Sequence, residues 1–230
     1  MKYISSLTHG FNVKLCFATV LVASFATLLS SSTLAELNPI TAINTCAVPA
    51  IQEKVNKFYL GKGKGAPLMI AGRALKLPEA LIASALQPEQ HIGVKADAKR
   101  IKDIWTTIDQ WGEETNVRLV FTMGGSHVFD FPSNVPIRQE DLDDGWLDIF
   151  ADQGDGVRGH LWLDQIKTVY AINLPGSDGT PTRAISFYAA DGSLIIGVYA
   201  SISTKSYDKA VEPGFEKTWA LLKTLPKACG

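Results

Sequence analysis

The sequence predicts an α+β domain built on an antiparallel sheet system. Three observations predict it. A strongly amphipathic helix lies at Asp97–Trp111. Short apolar runs follow it (VRLVFT, HVFDF, GWLDIF, VRGHLWL, IKTVYAIN, RAISFYA and LIIGVYA), separated by turn residues. A last amphipathic stretch, about Lys205–Leu225, aligns Phe215, Trp219 and Leu222 on one face. Short strands at regular spacing with turn chemistry between them are the pattern of antiparallel sheets. A chain of 230 residues is long enough for one ordinary domain with a sizeable core.

Residues 1–35 read as an export signal: Lys2 and Lys14 give a positive start, Leu15–Leu29 is apolar and uncharged, and Thr33-Leu34-Ala35 offers a cleavage site before Glu36. That run is shorter than the roughly 18–20 residues a bilayer-crossing helix needs. Residues 36–65 form an N-terminal lead and linker. Within it Ile51–Leu60 makes a short helix, and Gly61–Gly65 is a flexible connector without the spacing of a phosphate loop. Residues 66–230 are the main domain. Ala66–Leu86 reads as two short helices broken at Lys76-Leu77-Pro78, with Pro78 and Glu79 suited to a helix start. His91 falls in a solvent-facing connector. In the next helix Ile101, Ile104, Trp105, Ile108 and Trp111 recur at helical spacing, Asp97 caps the start and Gly112 the end. Among the strands, Asp191-Gly192 marks a hairpin.

Charge and cysteine usage narrow the function classes. The formal charge is −1, and it becomes −3 once Lys2 and Lys14 are removed with the leader. A nucleic-acid partner wants a basic face, which this balance does not supply. Cys16 lies in the leader, while Cys46 and Cys229 stand near the two ends of the mature chain. In an oxidising compartment they either bridge or remain as two thiols. No CxxC is present, so thiol-redox and zinc-ribbon roles have little support. The acidic group Glu140, Asp141, Asp143, Asp144, Asp148, Asp152 and Asp155 lacks calcium-loop spacing and reads as a solvated loop.

One ordered set of words carries more. Trp105, Trp111-Gly112, Leu119-Val120, Gly159-His160-Leu161 and Ser186-Phe187-Tyr188, followed by Asp191-Gly192-Ser193, make a series that resembles the ChuX/HutX haem-utilisation family. A weaker likeness extends from about Ala66 to about Leu225. Members of that family bind haem and pass it on. The resemblance implies curved antiparallel sheets flanked by helices (the HemS-like half fold), a homodimer, and haem as a carried ligand.

Haem requires an apolar slot, an axial ligand for iron, and groups that receive propionates. His160 is the first candidate. Alternation along VRGHLWLD places Arg158, His160, Trp162 and Asp164 on one strand face and Val157, Gly159, Leu161 and Leu163 on the other. Imidazole for iron, indole for the ring and guanidinium for a propionate then share a face. The same histidine stands in the family's Gly-His step. An exposed, hydrogen-bonded histidine is the plain alternative. His127 is the second candidate, on a face with Phe129 and Phe131; a core histidine satisfied by a carbonyl is its plain alternative. The family carries a histidine just after the Leu-Val of the first strand, and this chain has Phe121 there; His127, with Met123, is the replacement on offer. Tyr170 is a third candidate, as a phenolate ligand for ferric iron; strand tyrosines otherwise pack at core edges. No nucleophile–base pair is recognisable, so the expectation is an exported, periplasmic haem carrier without catalysis. A transporter or acceptor protein would then exchange haem with it. A start-site error would instead make it cytoplasmic. A haem-modifying or haem-degrading enzyme, and a module for another ligand or partner on the same fold, remain open alternatives.

Overall fold

The large sheet has six strands in the order β1 (His91–Lys95), β7 (Thr168–Leu174), β8 (Thr182–Tyr188), β9 (Leu194–Ser201), β2 (Asn116–Met123) and β3 (His127–Asn134). Every neighbouring pair in it is antiparallel. A second sheet orders β4 (Ile137–Arg138), β5 (Trp146–Phe150) and β6 (Arg158–Trp162), again antiparallel. Neither sheet closes, and helices flank them, which is the predicted α+β class. The computed structural model describes residues 45–123, 127–139 and 145–229. The leader at residues 1–35, the Gly124-Gly125 turn and the acidic residues Glu140–Asp144 lie outside the described residues.

Alternation along the strands divides the apolar residues between two cores. On β7, Val169 and Ala171 face one core while Tyr170, Ile172 and Leu174 face the other. The first core receives α4 (Ala98–Asp109), α5 (Glu212–Thr224) and the inner face of the small sheet through Leu147, Ile149 and Leu161. The second receives α1 (Pro49–Leu60), α2 (Leu68–Leu75) and α3 (Glu79–Ser84). The predicted linker segment therefore adds to a core: Val55, Phe58 and Tyr59 of α1 are buried.

α4 forms as its spacing predicts. The Asp97 carboxylate accepts from Arg100 N at 2.8 Å, which satisfies one of the helix's orphan donors. Ile101, Ile104, Trp105 and Ile108 are buried. The Trp105 ring lies 5.1 Å from that of Phe187, and its indole N–H donates to the Pro136 carbonyl at 3.1 Å. The Trp111 indole N–H donates to Thr218 Oγ1 of α5 at 2.9 Å, so both Trp residues are core.

Three expectations change. His91 opens β1 instead of lying in a connector. Its ring stacks on Tyr170 at 6.1 Å, and burial lowers its pKa. β4 went unread. The last helix begins at Glu212, not near Lys205. Pro213 lacks an N–H and tolerates only the first helical turn, so it fixes the start.

Past α5 the chain returns to the β1 edge. Ala228 N donates to Gly93 O at 3.0 Å, and Lys95 N donates to Pro226 O at 3.0 Å. Cys229 is joined to Cys46 by a disulfide, with Cα atoms 5.7 Å apart. One bond thus ties the approach to α1 to the end of the chain, across 183 residues of sequence.

Candidate functional site

The small sheet sets the geometry. Its inner face packs on the first core, and Gly159 is part of that closure: a Cβ there would stand 3.0 Å from Ile149 Cγ1. Its outer face takes the alternate residues of β5 and β6. The register pairs Trp146 with Trp162, Asp148 with His160, and Phe150 with Arg158. Six side chains thus share one outward face.

His160 sits at the middle of this face, with its side chain 63% exposed. Its Nδ1 is 2.6 Å from Asp148 Oδ1. A carboxylate only accepts, so Nδ1 carries the hydrogen, and in the neutral imidazole the lone pair is on Nε2, on the other side of the ring from Asp148. This is the arrangement that orients metal-binding imidazoles and raises their basicity. Phe150 meets the His160 ring edge-on at 6.3 Å. The Trp146 and Trp162 rings stack at 5.9 Å and are 40% and 49% exposed. Arg158 donates through Nε to the Gly154 carbonyl at 2.5 Å and lies over Phe150, 5.5 Å from its centroid. That leaves its terminal amino groups at the rim, available to an anion.

The structure therefore brings His160, Arg158 and Trp162 together, as alternation along one strand indicates. It adds Trp146, Asp148 and Phe150, which sequence reasoning missed. The sequence alone places Asp148 in an acidic loop, yet it lies on β5 and holds His160. Only the cross-strand register reveals it, and no residue of β6 encodes that register.

The other two candidates stand elsewhere. His127 lies on β3 of the large sheet, exposed, and pairs in register with Met123. Phe129 and Phe131 share its face, stacked at 6.3 Å, and Phe121 stands 6.4 Å from Phe131. This is a second exposed aromatic surface, on a different sheet from His160. Tyr170 is 1% exposed in the second core. Its hydroxyl is 3.5 Å from Cys229 Sγ, and burial pushes its pKa up to about 12. It does not reach either surface. Among the described residues no cluster of three or more His, Cys, Asp or Glu could hold a bare metal ion. The His160 side chain, well over half exposed, stands on an open sheet face.

Residues 94–213, more than half of the chain, match the family described as Haem utilisation ChuX/HutX. Comparison with curated proteins finds no match. Among solved structures, the chain is similar to the heme binding protein ChuX, with a TM-score of 0.56 and 16% identity over 75% of this chain and 99% of that one. It is also similar to a protein from Erwinia carotovora, with a TM-score of 0.56 and 18% identity over 76% of this chain and 98% of that one. A third similar structure is Escherichia coli ChuS, a heme degrading enzyme, with a TM-score of 0.54 and 17% identity. There the match covers 76% of this chain but only 48% of ChuS, so this chain spans about half of that protein. At these identities the structural likenesses are likenesses of fold.

Proposed function

The chain belongs to the ChuX/HutX haem-utilisation family, and from that premise we propose that it binds haem and hands it on intact. The observation that carries the reading is the Asp148–His160 pair, set among Trp146, Trp162 and Phe150 on an open sheet face. His160 Nε2 takes the iron. Trp146 and Trp162 lie against the macrocycle, and Arg158 receives a propionate. Asp148 keeps His160 in the tautomer that ligates. His127, with its neighbouring phenylalanines, is the alternative ligand on the large sheet.

The platform covers one side of a planar ligand. We assign the other side to a second copy of the chain. The match to ChuS supports that assignment, because it covers only 48% of that protein and leaves room there for a second such domain. A transporter or acceptor protein would meet the loaded platform from its open edge. Export to the periplasm is supported by the Cys46–Cys229 disulfide, since such bonds persist in oxidising compartments. Mass spectrometry of the N-terminus from cell fractions tests this: a mature chain starting at Glu36 is expected, and Met1 recovered from the cytosol contradicts it.

The carrier reading is tested by loading the protein with ferric haem, adding ascorbate in air, and offering apomyoglobin. Haem recovered intact in myoglobin is expected. Loss of the Soret band with release of iron or a linear tetrapyrrole would make the protein a degrading enzyme instead.

A further inference from the structure

The opposite side of the large sheet carries a cleft that haem carriage does not use. It has a volume of about 920 Å³ and runs between α2, the start of α3 and the outer face of β2 and β3. That volume lies within the range of small-molecule sites, roughly 300–1,000 Å³. Ile70 of α2 and Val128 of β3 line it and are 48% and 44% exposed, so its walls hold apolar surface that nothing covers. Met69 and Leu194 continue this lining.

The charges in the cleft are unequal in kind. Asp130 is taken by Arg118 and by Lys205 at 3.1 Å. Asp191 accepts from Ser193 N at 2.9 Å and Ser193 Oγ at 2.6 Å. Burial raises the pKa of Glu79 to about 7, so it repels an anion far less than an ordinary carboxylate. Its Oε2 has no hydrogen-bond partner among the described residues, and its O–H form can donate to a ligand. Arg73 and Lys76 line the cleft, are exposed, and enter no ion pair among the described residues. Lys76 also holds a left-handed backbone, φ 54°, at the end of α2. Glycine is the residue that adopts this conformation at least cost, so a lysine there keeps a cation at the rim despite strain.

We propose that this cleft is a second binding site, for an apolar carboxylate of fatty-acid type, with Arg73 and Lys76 on its head group and Ile70, Val128, Met69 and Leu194 around its chain. The site does not involve iron, haem or His160. Calorimetric titration of the full mature protein with dodecanoate, below its micellar concentration, tests it. Saturable one-to-one binding is expected. Dodecyltrimethylammonium, with the same chain and the opposite charge, should bind at least tenfold more weakly. Lys76→Gly relieves backbone strain while removing the charge, and Ile70→Asp changes an exposed residue; each should weaken dodecanoate roughly tenfold or more. His160→Ala should leave it unchanged. The proposal is overturned by absence of saturable binding, by equal binding of the two amphiphiles, or by unchanged affinity in both cleft variants.

Discussion

At the residue scale, environment decides what each titratable group does. Asp148 and His160 lie 2.6 Å apart on an open face, where the pair orients a lone pair outward. Glu79, in contrast, is driven toward neutrality by burial. Its folded pKa of about 7 stands above its ordinary value of 4.5. Between those values the folded chain holds a proton that the unfolded chain has lost. The contribution of Glu79 is therefore fully present below about pH 4.5 and is lost as pH rises to about 7, for a total on the order of 3 kcal/mol. His91 acts in the other direction, because its lowered pKa costs stability on acidification. The measurement is urea unfolding of wild type and Glu79→Gln at pH 5 and pH 8. The variant should gain stability over wild type at pH 8, and the gap should narrow at pH 5. On the platform, Asp148→Asn should weaken haem binding less than His160→Ala does, since it disturbs the tautomer and keeps the ligand.

At the element scale, legibility followed the strength of the period. α4 presents four buried apolar residues at helical spacing behind a capping aspartate, and it forms within a residue or two of its expected ends. Asp97→Ala should cost about 1 kcal/mol in chemical denaturation, the usual value of such a cap. Trp105→Ala, which empties a fully buried site, should cost about 3–5 kcal/mol. The long central strands were legible for the same reason, and so was the face shared by Arg158, His160 and Trp162. β1 was not, because HIGVK offers only two apolar side chains and a glycine. That glycine is required by packing: a Cβ on Gly93 would meet the Tyr170 ring. β4 has two residues and hence no period at all. Trp146, Asp148 and Phe150 were hidden as site residues because β5 meets β6 through a register that pattern alone does not specify.

At the scale of the whole molecule, two cores share one sheet, and a covalent bond joins Cys46 to Cys229. A cross-link across 183 residues is worth on the order of 4–5 kcal/mol by loop entropy. Cys46→Ser/Cys229→Ser should lose stability of that order in urea unfolding, and dithiothreitol should lower wild type to match it. The helical cap of α1–α3 closes one face of the sheet and carries the cleft, while the small sheet sits over the other and turns its aromatic side outward. The two proposed sites are thus placed on opposite sides of the six-stranded sheet, and their ligands should bind independently. The most direct measurement is a visible-spectrum titration of residues 36–230 with ferric haem, run beside His160→Ala. A saturable Soret shift in the native chain that is lost or altered in the variant is the predicted result. Identical spectra and affinities for the two proteins would contradict iron ligation by His160, and no Soret shift in either would contradict haem binding itself.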